Sequence, residues 1–250
     1  MKLYLYPFLF VITLVACSTP QRGFNPAKVS YSQMRITDKT NKDANLVKLL
    51  APYKDSVNNS MNGVIATLQN TMEKRQPEGS LGNFVTDAQL IMGAEKFKRK
   101  VDLSIVNNGG IRLQELTAGA ITRGKIFELM PFDNELIMLT MSGKNVQQLL
   151  DTTSKKGGWP ISGTTYTIEN KKATNILIGG APIDEFATYN VVLSDYLANG
   201  GDNLDFLKAL PRVQKGYLLR DAIIDYVTKL NISNPTGIPL PTMGRIVYIK

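Results

Sequence analysis

The sequence of 250 residues predicts a mixed α/β fold, of the α+β kind, in which helices lie on the faces of a mixed sheet. First, 43% of the residues are apolar, a fraction typical of a globular protein with a real core. Second, segments with helical and with strand periodicity alternate without the strict strand–helix–strand order of a doubly wound fold. A mixed sheet is therefore favoured over a wholly parallel one.

Residues 1–16 are predicted to form a secretory signal peptide. Lys2 precedes an apolar run from Leu3 to Ala16, which is too short to span a bilayer comfortably. The run leads into Leu14-Val15-Ala16-Cys17, which resembles the bacterial lipobox, so Cys17 is the predicted lipidation site. The alternative is an ordinary signal peptide whose cysteine is incidental.

Residues 17–42 are expected to be the lipidated cysteine and a tether, and residues 43–250 the folded domain. Because Cys17 is the sole cysteine, no intramolecular disulfide is possible. The predicted location is the bacterial cell envelope, where the lipid anchors the protein to a membrane on the periplasmic side or at the outer membrane.

The formal net charge of +8 suits an anionic ligand. Part of this charge comes from a basic run between Lys96 and Lys100. That run ends a predicted helix, where cations favour the helix dipole and solvent. We therefore predict no nucleic-acid partner.

The first half of the domain should begin with an amphipathic helix from Asp43 to about Val57, followed by a strand near 64–68. A second helix is predicted to start at Asn83 as its N-cap. The apolar positions of these helices are Leu46, Leu49, Leu50 and Tyr53 in the first, and Phe84, Ala88, Ile91 and Met92 in the second.

The alternating segment 101–106 predicts a strand with one covered face, which leads directly into a loop at Asn107. A strand over 135–141 is predicted to precede Ser142, a candidate N-cap of a helix that carries Val146, Leu149 and Leu150. The remaining predicted elements are short strands around Tyr166, Ile176 and Val191, a helix over about 216–230, and a final strand over 245–247.

The loop Asn107-Asn108-Gly109-Gly110-Ile111-Arg112 is the first candidate for function. Gly109 and Gly110 allow positive φ and close approach of the backbone to a ligand, and Arg112 offers a planar donor fork for phosphate. A plain strand-to-loop turn is the alternative interpretation of the glycine pair.

Each of two further motifs combines an aromatic residue with polar residues. In Met130-Pro131-Phe132-Asp133-Asn134, the proline favours a loop rather than a helix, and the Asn134 amide can both donate and accept. The second motif runs from Asp195 to Asp202 and contains Tyr196 and the turn signal Gly200-Gly201.

Together these motifs resemble the C-terminal, substrate-recognition domain of the 5'-nucleotidase family. The resemblance implies a four-layered α/β/β/α domain. It also implies that Asn107 and Arg112 contact a nucleotide, that Phe132 and Tyr196 stack on the two faces of the base, and that Asn134 contacts the base edge. Asp202 would bind the ribose hydroxyls. Asn108 departs from the family motif, which has glycine there.

In some members of the resembled family, a second ligand-contacting arginine lies a few residues before a Gly-Asn segment. Arg75 stands in the same relation to Gly82-Asn83. The alternative interpretation is that Arg75 is a solvated surface arginine between Lys74 and Gln76.

The sequence predicts no catalytic residue and no metal site in this chain. Hydrolysis at a two-metal centre needs ligands that fix both ions, and this chain has no histidine. It also has no Gly-x-Ser-x-Gly elbow and no P-loop. No cofactor is therefore expected in this chain, and divalent metals are expected only on a separately encoded metallophosphatase.

Three hypotheses follow. The first is a nucleotide-recognition module that acts in nucleotide catabolism with the separately encoded metallophosphatase. The second is a lipid-anchored protein that binds a nucleoside or nucleotide and hands it over without chemistry. The third is a degenerate surface scaffold that has lost the ligand.

Overall fold

The computed structural model describes residues 31–37 and 40–249. The predicted signal peptide and Cys17 lie outside these residues. The chain divides into two units, residues 1–47 and 48–250, and apart from residues 44–47 at the start of the first helix the account below concerns the second unit. Among the described residues, no helix has the length and apolar character needed to cross a membrane.

The described residues form six α-helices, which are α1 (Ala44–Met61), α2 (Ser80–Phe97), α3 (Arg123–Leu129), α4 (Gly143–Ser154), α5 (Asp195–Ala198) and α6 (Leu219–Ser233). They also form thirteen strands, which are β1 (Val64–Leu68), β2 (Met72–Glu73), β3 (Leu103–Ile105), β4 (Glu115–Leu116), β5 (Gly119–Thr122), β6 (Glu135–Ser142), β7 (Ile161–Ser162), β8 (Thr164–Glu169), β9 (Lys172–Ile178), β10 (Ala181–Pro182), β11 (Thr188–Ser194), β12 (Arg212–Leu218) and β13 (Ile246–Ile249).

The two larger sheets are both mixed. The five-stranded sheet has the order β12-β6-β11-β3-β7, in which only β11 and β3 are parallel. The four-stranded sheet has the order β10-β9-β8-β13, in which β13 runs parallel to β8. Two-stranded pairs, β1-β5 and β2-β4, complete the sheet structure of the described residues.

The five-stranded sheet separates two apolar cores because side chains alternate between its faces. Leu136, Met138 and Val192 face a core formed with α2, α3 and α6. Ile137 and Leu139 face the other core, which the four-stranded sheet and α4 complete. The predicted mixed fold and its α/β/β/α layers are confirmed.

Most predicted elements are present, including the capped helix after β6. Ser142 is the N-cap of α4, and its hydroxyl accepts a hydrogen bond from Asn145 N. The prediction that Asn83 caps α2 is wrong. The helix begins three residues earlier, after Gly79, and Asn83 is fully buried. Its Nδ2 donates to Glu78 Oε1 over 2.6 Å and to the carbonyl of Thr242 over 3.0 Å.

Two predicted faces also differ from the structure. β3 is covered on both faces, because Ser104 is buried and its hydroxyl donates to the carbonyl of Thr86 over 2.7 Å. α1 extends beyond its predicted end at Val57 and has no buried residue. Its predicted apolar positions are all at least half exposed, namely Leu46, Leu49, Leu50 and Tyr53.

Candidate functional site

A cavity of about 490 Å³ opens at one edge of the five-stranded sheet. The parallel strands β3 and β11 both end there, and the antiparallel strand β6 begins there. The loops that follow β3 and β11 and the loop that precedes β6 therefore meet. These are the three loops that contain the predicted motifs. The cavity is lined by Val106, Asn107, Gly109, Gly110, Met130, Phe132, Asn134, Ser194, Tyr196, Asp202 and Leu219.

The loop after β3 forms a short 3-10 helix, Asn108–Gly110. Neither glycine of this turn adopts a left-handed backbone, so positive φ is not the reason for glycine here. At Gly110 an added Cβ would lie 2.9 Å from Asn107 Oδ1, so a side chain there would have to displace the Asn107 amide. Asn108 Nδ2 donates to the carbonyl of Gly158 over 3.2 Å, so the asparagine that departs from the motif anchors the loop.

Two aromatic rings line the cavity, that of Phe132 from the loop before β6 and that of Tyr196 from the short helix α5. Phe132 is 45% exposed and Tyr196 is 46% exposed, although large aromatic side chains are usually buried to a greater extent. Gly201 lies against the Tyr196 ring, since an added Cβ there would be 2.5 Å from two ring carbons. The rings therefore present apolar faces to any molecule that enters the cavity.

Asp202 places a carboxylate beside Tyr196. Its backbone is left-handed, with φ of 56°. Its Oδ2 accepts a hydrogen bond from Asn107 Nδ2 over 2.7 Å, and its Oδ1 accepts a longer one, 3.4 Å, from the Tyr196 hydroxyl. Lys156 Nζ donates to the backbone carbonyl of Asp202 over 2.6 Å. The carboxylate is held in place and retains acceptor capacity.

Asn134 faces the same cavity, and its amide is bound by Asp195. Nδ2 of Asn134 donates to Asp195 Oδ1 over 2.7 Å. The same carboxylate oxygen accepts the backbone N–H of Tyr196 over 2.8 Å. No local pattern could have identified this pair, because the two residues are 61 positions apart.

The predicted arginines do not line the cavity. Arg112 lies next to it, with its guanidinium 5.7 Å from the centre of the Phe132 ring. Arg75 is directed elsewhere, since its side chain is 70% exposed and forms an ion pair with Glu73. Seven of the nine predicted ligand-contacting residues thus meet at one cavity, and these two lie outside its lining.

Lys74 is a cation near the site that the sequence did not single out. Its Nζ donates to the carbonyl of Ile111 over 2.8 Å. Burial lowers the pKa of Lys74, and the nearby positive charge of Arg112 lowers it further. Among the described residues, no carboxylate forms an ion pair with either Lys74 or Arg112. The positive charges of Arg112, at the end of the loop, and of Lys74, which donates to that loop, are therefore not offset by an ion pair among the described residues.

Arg220 supports the loop that carries Phe132. This buried residue donates to the carbonyls of Met130, Pro131 and Phe132 over 3.3–3.4 Å, and to Asp133 Oδ1 over 2.6 Å. Its guanidinium also lies 4.1 Å from the centre of the Phe127 ring. Arg220 belongs to α6 and acts 87 to 90 positions away along the chain, so no local pattern could have identified it.

In the part of the chain that the structure describes, no group of three or more His, Cys, Asp or Glu side chains is placed to hold a metal ion. The cavity lining combines aromatic faces, amides and one carboxylate, the mixture of apolar surface and a few polar groups that is typical of a small-molecule site.

Fold and site together define a four-layered α/β/β/α domain with a cavity at the edge of its five-stranded sheet. Residues 62–209 match the family model described as the 5'-nucleotidase, C-terminal domain, which covers more than half of the sequence. The chain therefore belongs to this family, and the predicted membership is confirmed.

Relatives of known name agree with this assignment. A 5'-nucleotidase of Vibrio vulnificus is 27% identical in an alignment of 225 positions that covers 85% of this chain and 39% of the relative. Cell wall protein Lmo0130 of Listeria monocytogenes is 28% identical over 208 residues, 73% of this chain and 26% of that protein. The crystal structure of a 5'-nucleotidase precursor from Thermus thermophilus superimposes with a TM-score of 0.71 at 26% identity, and covers 81% of this chain and 43% of that one. The chain thus spans less than half the length of these relatives.

Proposed function

We propose that this chain is a nucleotide-recognition module, which binds a nucleotide or nucleoside in the cavity at the edge of the five-stranded sheet. The observation that carries the proposal is the pair of half-exposed rings, Phe132 and Tyr196, on one cavity. A base between two aromatic faces gains about 1–3 kcal/mol per stacking contact. Family membership supports the same ligand class.

The polar groups around these rings fit the rest of a nucleotide. The Asp202 carboxylate accepts hydrogen bonds, so it suits the ribose hydroxyls as donors. Asn107 fixes that carboxylate through its own amide. The positive charge of Arg112 and Lys74 near the cavity suits a phosphate. Arg75 would need a different side-chain conformation to join them.

The proposed module acts with a separately encoded metallophosphatase that supplies the divalent metals. Family membership supports a partner, because the matched model describes the C-terminal domain of 5'-nucleotidases and not a whole enzyme. We further propose that the protein is lipid-anchored through Cys17 in the cell envelope, where a relative named as a cell wall protein would also reside.

Calorimetric titration of the protein with adenosine and AMP tests the binding proposal. Both ligands should bind saturably, and Phe132→Ala and Tyr196→Ala should each weaken binding by about 1–3 kcal/mol. Phe186→Ala is the matched control, because Phe186 is 94% exposed and does not line the cavity. Absence of binding by both ligands would refute the proposal and favour a degenerate scaffold.

The contribution of the phosphate to affinity distinguishes a module that serves a phosphatase from a simple carrier. We expect AMP to bind more tightly than adenosine, and Arg112→Ala to remove that advantage. Equal affinities for the two ligands would favour a carrier of nucleosides. Faster AMP hydrolysis by a metallophosphatase when this protein is added would support the partnership, and an unchanged rate would contradict it for that enzyme.

A further inference from the structure

The orientation of the Asn134 amide is fixed by its neighbour. Asp195 Oδ1 lies 2.7 Å from Asn134 Nδ2. A carboxylate only accepts hydrogen bonds, so the reversed amide would set two acceptor oxygens against each other. The amide nitrogen must therefore face Asp195, and the amide oxygen must point away from it.

Asp195 is itself held firmly. Its Oδ1 also accepts the backbone N–H of Tyr196 over 2.8 Å. The turn that follows is closed by Ser194, whose hydroxyl accepts the N–H of Leu197 over 3.3 Å. The Asn134 amide is thus tied to the backbone of Tyr196, the residue whose ring lines the same cavity.

The amide oxygen of Asn134 is left available. Among the described residues, no group donates a hydrogen bond to it, and the side chain is only partly buried on the cavity wall. It is therefore a single acceptor of fixed direction beside the two aromatic rings. A ligand edge that carries an N–H would satisfy it, whereas an edge that carries only acceptors would leave it unpaired.

We propose that Asp195 is a positioning residue that makes this cavity selective for a base with an N–H donor, in particular an exocyclic amine, on the edge that meets Asn134. The inference rests on the proposed function. Stacking between Phe132 and Tyr196 accepts every base, so it supplies affinity without discrimination. The fixed amide supplies the discrimination.

The test compares adenosine with purine riboside, in which hydrogen replaces the amino group, by calorimetric titration. The wild-type protein should bind adenosine about five- to tenfold more tightly, as expected for one hydrogen bond. In Asp195→Asn the new amide can donate as well as accept, so Asn134 can turn and the ratio of the two affinities should fall towards one. Asn134→Ala should lower the ratio in the same way.

Asp205→Asn is the matched control, since it removes the same charge from an exposed carboxylate that pairs with Lys208 and does not line the cavity. It should leave the ratio unchanged. Equal affinities in the wild-type protein would overturn the inference, and this comparison does not depend on the folding of any variant. An equal loss of both ligands in Asp195→Asn would also overturn it, because a purely structural role predicts that result. Binding without discrimination refutes only this inference, whereas no binding of either nucleoside refutes the proposed function as well.

Discussion

Gly201 is the residue whose size most directly controls the cavity. An added Cβ would lie 2.5 Å from two ring carbons of Tyr196, well inside van der Waals contact. We expect Gly201→Ala to displace the half-exposed ring, because the ring can move more easily than the backbone. Nucleoside binding should then lose most of one stacking contact, about 1–3 kcal/mol, while the free energy of unfolding changes little. Calorimetry and urea unfolding measure the two effects.

Gly63→Ala is the control for Gly201→Ala. An added Cβ at Gly63 meets only the carbonyl oxygen of Ser60, at 3.9 Å, and Gly63 does not line the cavity. It should leave nucleoside affinity unchanged. Wild-type affinity in Gly201→Ala would show that the position of the Tyr196 ring does not limit binding.

For individual residues of the candidate site, the sequence predicted those that lie in contiguous motifs. Phe132, Asn134, Tyr196 and Asp202 stand in short segments that could be compared as units, and the structure brings them to one cavity. Asp195 also lies in a motif, but its role depends on a contact with a residue 61 positions away. Such a contact is set by the packing of strands, so local spacing cannot predict it.

Helix α6 supports the loop 130–133 through Arg220, and this support belongs to the scale of whole elements. The guanidinium donates to three backbone carbonyls and to Asp133. We expect Arg220→Met to lower the free energy of unfolding by about 1–3 kcal/mol, because the partly buried carbonyls lose their donors. Asp133 is 80% exposed, so its carboxylate adds little to this cost. Urea unfolding gives the measurement.

The same variant should also weaken adenosine binding, because Phe132 lies in the loop that Arg220 holds. Arg99→Met is the control, since it removes an exposed arginine beyond the end of α2. Arg99→Met should change neither stability nor binding. If Arg220→Met loses stability but keeps wild-type affinity, the loop is positioned by other contacts.

The predicted start of α2 was wrong because a polar residue was assigned its most common role. Asparagine is a favoured N-cap, yet Asn83 is buried inside α2 and bridges Glu78 to the backbone of Thr242. Nothing in its neighbours reveals a partner 159 positions away. The periodicity of α1 predicted the helix itself, but periodicity does not state whether a neighbouring element covers the apolar face.

For the whole molecule, the order of the strands explains why the site exists. β11 lies between β6 and β3, parallel to one and antiparallel to the other, so three chain segments distant in sequence meet at one edge. Alternation along each strand predicted the strands but not their neighbours. The family resemblance supplied the α/β/β/α layers but no strand order, because it compares whole domains rather than local patterns.

Charged side chains bind the segment just before β13 to α2 and to the residue Glu78 before it. Arg245 forms a two-point ion pair with Asp87, over 2.8 Å in each bond. Glu78 accepts hydrogen bonds from the backbone N–H groups of Gly244 and Arg245, over 3.0–3.1 Å. These contacts join the two residues before β13 to Asp87 of α2 and to Glu78, which precedes α2, across more than 150 positions of sequence. The packing of this segment therefore depends on charged side chains.

The stability of the fold should also depend on alkaline pH, through the buried hydroxyl of Tyr226. Burial raises the pKa of Tyr226 to about 12, with a further contribution from the negative charge of Asp87 and an opposing one from Arg245. An unfolded tyrosine has a pKa of about 10. The folded state thus holds the phenolic proton more tightly, and the resulting stabilisation is complete below pH of about 10 and is lost as pH rises towards about 12.

Urea unfolding of the wild-type protein and of Tyr226→Phe, at pH values from about 8 to 11, measures this contribution. The wild-type protein should lose more stability over this range than Tyr226→Phe, since phenylalanine has no proton to release. Tyr53→Phe is the control, because Tyr53 is 69% exposed and its environment changes little on unfolding. Parallel losses of stability in the wild-type protein and Tyr226→Phe would show that Tyr226 ionises in the folded protein as readily as in the unfolded chain, and that the alkaline limit of the fold is set by other groups.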